Sequence, residues 1–179
     1  EGVVSNDPSQ GTSDIQEFDL TVPELHECSM TLSKNSITVA PDAEGTFSAT
    51  FTNDGNVDWT ISVGKSGSKA SWVSVDGATS GLLEYENGAG TRTFDLKVNP
   101  DDSVEAGSES VVAIQGKEGS SVKCTKNIRI ILGQSHDASL SLVSSFLPNI
   151  QPGDNGTTTL TVTNQGNGAD TFKISPSSQ

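Results

Sequence analysis

The segment Thr46–Ile61, TFSATFTNDGNVDWTI, returns in recognisable form at Thr157–Phe172 as TTTLTVTNQGNGADTF. A chain that spells one element twice is built from copies of a unit, and this limits its fold more than any single motif does. In the first copy Phe47, Ala49 and Phe51 alternate with Ser48, Thr50 and Thr52, which puts three apolar side chains on one face of an extended strand. Asn53-Asp54-Gly55-Asn56 then supplies residues that tolerate positive φ and bond their own backbone, before Val57, Trp59, Ile61 and Val63 resume the period of two. The second copy runs through Thr158, Leu160 and Val162, then Asn164-Gln165-Gly166-Asn167, then Phe172 and Ile174. The pattern predicts one β-hairpin, used twice, with one face of each copy buried.

The remaining chain falls into place around these copies. Residues 26–135 hold one complete unit, with strands expected at Cys28–Ser33, Ile37–Val39, both arms of the hairpin, Ser71–Val75, Leu82–Tyr85, Thr93–Val98, Val111–Ile114 and Val122–Leu132. Gly64–Ser68 is expected as a flexible turn. Seven or eight short strands in about 110 residues is the spacing of an Ig-like sandwich, and such a unit is long enough to bury its own core. Residues 1–25 read as the last two strands of a preceding unit, because Glu1-Gly2-Val3-Val4 matches Glu109-Ser110-Val111-Val112 and Phe18-Asp19-Leu20 matches Ile128-Arg129-Ile130. Residues 136–179 begin a following unit and stop after its hairpin. The fold class expected is all-β: tandem Ig-like antiparallel β-sandwich repeats, one complete unit flanked by two partial ones. Either the chain is a piece of a longer array, or its incomplete ends complete each other between molecules.

A net charge of −13 over 179 residues argues against a nucleic-acid surface, since the acidic excess is spread through every segment and repels phosphate. No apolar run approaches membrane-spanning length. Glu1 is no initiator, so any signal peptide or anchor is expected to lie outside this sequence. Cys28 shares parity with Met30 and Leu32, and Cys124 with Val122, Ile128, Ile130 and Leu132, so both sulfurs are expected to point inward from the first and last strands of one unit. A Cys28–Cys124 disulfide is predicted, closing a loop of about a hundred residues and contributing about 4 kcal/mol if unstrained. Two buried free thiols are the alternative. The disulfide implies an extracellular or cell-surface setting.

Three motifs carry a resemblance. Val98-Asn99-Pro100-Asp101-Asp102-Ser103-Val104-Glu105-Ala106-Gly107-Ser108, Thr52-Asn53-Asp54-Gly55-Asn56 and Ser71-Trp72-Val73-Ser74 resemble segments of the Ig-like domain associated with alpha-galactosidases (NPCBM-associated) and of CARDB-like surface repeats. The likeness covers residues 26–135. It implies an accessory or spacer domain of archaeal or bacterial surface proteins, without a catalytic site of its own.

Candidate chemistry is sparse. Asp101, Asp102 and Glu105 offer hard oxygens to Ca²⁺, which takes six to eight, although a solvated acidic turn is the more frequent use of such a cluster. No other cofactor is expected. His26 and His136 recur beside Glu27 and Asp137, but one imidazole per junction is more often a linker contact than a zinc site. Trp59 alternates with core residues, whereas the parity of Trp72 leaves room for a sugar-stacking face or for ordinary packing. Asn155-Gly156-Thr157 is an N-glycosylation sequon that is also a good turn. No nucleophile elbow, Cys–His pair or phosphate-cradling loop is present in the sequence. The expected role is a non-enzymatic extracellular stalk, S-layer or filament module whose partners are neighbouring repeats or copies of itself. The alternatives are a subunit that assembles by strand exchange, and an adhesion module that binds a cell-surface glycan or protein beside an enzyme.

Overall fold

A computed structural model describes residues 2–4, 14–41, 43–86, 90–101, 103–143 and 150–175, with side chains from residue 17 onward. Between Cys28 and Leu132 two sheets face each other. One holds β3 (Cys28–Leu32), β5 (Gly45–Asn53), β9 (Thr91–Val98) and β7 (Val73–Asp76), in that order. The other holds β4 (Ser36–Val39), β11 (Ser121–Leu132), β10 (Glu109–Glu118), β6 (Trp59–Ser66) and β8 (Ser80–Leu83). All neighbours are antiparallel except β4 and β11. Inward-facing residues of both sheets merge into one core, with Phe47, Ala49, Phe51, Phe94 and Leu96 on one side and Trp59, Ile61, Val112, Ile114, Ile128 and Ile130 on the other. The period-two alternation of the sequence fixes that arrangement: each strand buries one face, and two such faces exclude water from each other.

The expected hairpin is an arch. β5 pairs with β3 and β9, while β6 pairs with β10 and β8, so the chain leaves one sheet at Asn53 and enters the other at Trp59. The alternation holds in the first copy, where Phe47, Phe51, Trp59 and Ile61 are all buried but meet across the sandwich; in the second copy Phe172 and Ile174 are exposed, because no facing sheet covers them among the described residues. Trp72 likewise stands in a short 3-10 turn (Ala70–Trp72) that precedes β7, not in a strand. The Gly64–Ser68 run is part strand, with Gly64, Lys65 and Ser66 paired to Gln115, Ile114 and Ala113.

Outside the sandwich, β1 (Gly2–Val4) pairs with β2 (Asp14–Gln16), and β12 (Ala138–Leu142) with β13 (Leu160–Asn164). Phe18–Leu20, expected as strand, carries none, and neither do Phe172 and Ile174. Their counterparts in the sandwich are held by β4 and β10, or by β8 and β10, and no described segment offers these residues a comparable edge.

Candidate functional site

Among the described residues, three constructions go beyond ordinary packing. The first is the disulfide. Cys28 and Cys124 are bonded, with Cα atoms 5.6 Å apart. Because Cys28 opens β3 in one sheet and Cys124 lies in β11 of the other, the bond ties the two sheets together. Beside it, β10 comes so close that a Cβ on Gly116 would stand 2.7 Å from the Cys124 Sγ and 2.8 Å from Phe51. Only glycine fits there.

The second is the arch. Asn53 is fully buried and its amide is saturated: Oδ1 accepts from the Gly55 N–H at 2.9 Å and from the Trp59 indole at 3.3 Å, while Nδ2 donates to the carbonyls of Val57 at 2.8 Å and Leu83 at 3.2 Å. A single side chain satisfies polar groups that the sheet switch strips of ladder partners. Asn164 does part of this in the second copy, with Oδ1 accepting from Gly166 N at 2.9 Å and Nδ2 donating to Gly168 O at 2.7 Å.

The third is the pair of junctions that lead into β3 and β12. His26 stacks flat over Trp59, with centroids 5.9 Å apart, and its Nδ1 lies 2.5 Å from Glu118 Oε1. Nε2 stands 3.7 Å from Glu24, and Lys123 contacts the other Glu118 oxygen at 3.1 Å, at the wall of an open cleft of about 550 Å³. The hydrogen bond from His26, and then that from Lys123, hold the Glu118 carboxyl below its ordinary pKa. At the second junction His136 Nδ1 lies 2.7 Å from Asp170, whose pKa is lowered first by that bond and then by the Thr171 N–H. Both imidazoles therefore bridge linker to sandwich or turn through carboxylates distant in sequence. Glu27 and Asp137, the acids next to them in the chain, instead receive Asp54 N and Gln165 N on their backbone carbonyls.

The sequence candidates separate cleanly. Trp72 is only 3% exposed, its indole donates to Asp101 at 2.9 Å, and Lys69 covers the ring at 4.7 Å. It offers no open face for a sugar, a correction that follows from the 3-10 turn rotating the ring inward. The same contacts engage the Asp101 carboxylate; Glu105 is exposed and Asp102 lies outside the described residues. Among the described residues no three His, Cys, Asp or Glu side chains gather as metal ligands would. Asn155 is exposed ahead of β13. No described helix is long and apolar enough to cross a membrane. Glu118, Gly116 and the asparagines of the two turns were not singled out from the sequence as functional. For the asparagines a signal existed, since T-N-x-G-N is what the two copies share most closely.

No protein-family model and no curated protein matches the chain. Among solved structures, it is similar to domains 4 and 5 of the S-layer protein SbsC at 17% identity and TM-score 0.40, over 62% of this chain and 54% of that one. It is also similar to PapD-like domain 7 of human CEP192 at 13% identity and TM-score 0.38, over 70% of this chain and 96% of that one. A further likeness is to the E. coli chaperone DraB at 11% identity and TM-score 0.38, over 58% of this chain and 54% of that one. The chain thus spans about half the length of the SbsC and DraB structures.

Proposed function

We propose that this chain is a segment of a non-enzymatic, extracellular structural protein, in which tandem Ig-like sandwiches serve as stalk, surface-layer or filament material. The units are 26–135, with parts of neighbours at 1–25 and 136–179. One observation supports this most: the β12–β13 ladder repeats the β3–β5 ladder in register. Cys28 pairs with Asn53 and Leu32 with Ala49; Ala138 pairs with Asn164 and Leu142 with Leu160. Two segments that share sequence and strand register are best explained as the same stretch of two successive units. The sheet-to-sheet disulfide suits an oxidising, extracellular setting. The resemblance to alpha-galactosidase-associated and CARDB-like domains agrees with a spacer role.

Light scattering after size separation, combined with small-angle X-ray scattering over a dilution series, tests this reading. A monomer longer than one sandwich of about 110 residues supports it. A compact particle with both end segments folded over the sandwich contradicts it.

A second reading, assembly by strand exchange, is favoured by one observation. Phe18, Leu20 and Val22 are 74%, 82% and 69% exposed, whereas Ile128, Ile130 and Leu132, their counterparts in the sandwich, are fully buried. Leu140, Leu142, Phe172 and Ile174 are exposed as well, on the segment that such strands would cover. A ladder of masses that grows with concentration would favour this reading over the first.

A further inference from the structure

Asn167 holds two parts of the molecule at once. Its Oδ1 accepts from the Ser135 N–H at 2.8 Å and the Ser135 hydroxyl at 3.2 Å, and its Nδ2 donates to the Gly133 carbonyl at 3.0 Å. Those bonds grip the linker between β11 and β12. Nδ2 also reaches the Val104 carbonyl at 3.2 Å, and the backbone carbonyl of Asn167 accepts from Ala106 N–H at 2.9 Å. Val104 packs against the core of the sandwich, so these two bonds fasten the turn after β13 to the β9–β10 connection.

Shape supports the polar contacts. A Cβ on Gly166 would stand 2.3 Å from the Ser135 carbonyl oxygen, and one on Gly168 would stand 3.2 Å from the Ala106 Cβ. Gln134 Nε2 adds a bond to the Ala169 carbonyl at 2.8 Å. The turn is seated on the sandwich, and glycine lets the backbones approach.

The first junction repeats the linker half of this arrangement. Asn56 Oδ1 accepts from Leu25 N–H at 2.7 Å, Nδ2 donates to the Pro23 carbonyl at 3.0 Å, and a Cβ on Gly55 would stand 1.9 Å from the Leu25 oxygen. Asn56 and Asn167 thus each take an amide N–H and the carbonyl two residues before it. A planar carboxamide carries an acceptor and a donor side by side, so it alone among small side chains can answer both.

We infer that the last asparagine of each T-N-x-G-N turn locks the angle between successive units, and that its partner is the β9–β10 connection of the unit before it. The recognition rule is specific: the preceding unit presents a carbonyl and an amide spaced as those of Val104 and Ala106, and the following unit presents an asparagine preceded by glycine, as Gly55-Asn56 and Gly166-Asn167 are. The inference rests on the tandem reading only in taking residues 136–175 as the start of a further unit.

Hydrogen exchange of the whole 179-residue chain, read amide by amide, tests the lock. Asn167→Asp keeps the size of the side chain but turns a donor into an acceptor facing two carbonyls. We expect exchange at Ser135 and at Ala106 to quicken at least ten-fold. The Gly107 amide, which bonds Leu132 within the sandwich, stays as slow as in the parent chain and reports that the fold is intact. Faster exchange at Ser135 alone would overturn the proposal, because Asn167 would then only cap the linker. Gly168→Val gives an independent reading in case Asn167→Asp also loosens Gly107. Its new side chain presses on Ala106 and on the flexible end of the Gln134 side chain while the Asn167 carboxamide is untouched, so Ala106 should quicken and Ser135, still bonded to that carboxamide, should not. Unchanged Ala106 exchange in Gly168→Val would overturn the lock. A lock that fails in a chain that is still an extended monomer leaves the tandem reading standing, so the two can fail separately.

Discussion

Gly116 and Cys124 face each other across the β10–β11 ladder with no room for a side chain between them: a Cβ on Gly116 would stand 2.7 Å from the sulfur. The same Cβ would press on Phe51 at 2.8 Å and Ile61 at 2.9 Å, both fully buried, so neither the disulfide nor the core can yield cheaply. Gly116→Ala is expected to destabilise by about 1 to 3 kcal/mol through overpacking. Denaturant unfolding measures it; a midpoint equal to that of the parent chain would show that β10 relaxes away from the disulfide.

Asn53 carries the sheet switch. Asn53→Ala strands the Trp59 and Gly55 N–H groups and two carbonyls in the interior, which should cost about 3 to 5 kcal/mol. Asn164→Ala, on an exposed residue with two such bonds, should cost far less. Equal losses would mean that the turns matter only for their backbone shape.

Acid should loosen the junctions. Glu118 and Asp170 both have folded-state pKa values below those of an unfolded chain, about 4.3 for Glu and 3.9 for Asp. Their contribution is therefore fully present above those values and is lost as pH falls through the lower, folded ones. Melting temperature should fall as the pH drops through and below the ordinary carboxylate range, and Glu118→Gln should remove part of that dependence. A variant with an unchanged acid profile would show that the His26 contact contributes nothing.

Much of this was readable in advance, and the failures have physical causes. Alternation at Phe47, Ala49 and Phe51 tells which face of a strand is buried, but it is identical for a hairpin and for an arch. The NDGN turn reads the same way in both. What separates them is the burial of Asn53 against Trp59, a property of the second sheet being present. Parity placed both cysteines inward, and that was sufficient because two facing sheets leave few partners for an inward sulfur. Parity left Trp72 open, because it stands in a 3-10 turn, which has no period of two, and the ring packs inward. Gly116 and Glu118 left no local trace, since Cys124, Phe51 and His26 meet them only through the folded sheets.

The disulfide should decide how the chain carries load. Force that enters at β3 and leaves at β11 passes through Cys28 and Cys124, so the 96-residue separation between them is shielded while the bond is intact. Pulling single molecules by their two ends, with and without reductant, tests this most directly. The account predicts that the oxidised chain releases little length when the sandwich yields. The reduced chain should release roughly 300 Å more. Equal lengths under both conditions would contradict it, because the bond would then not bridge the path of the force.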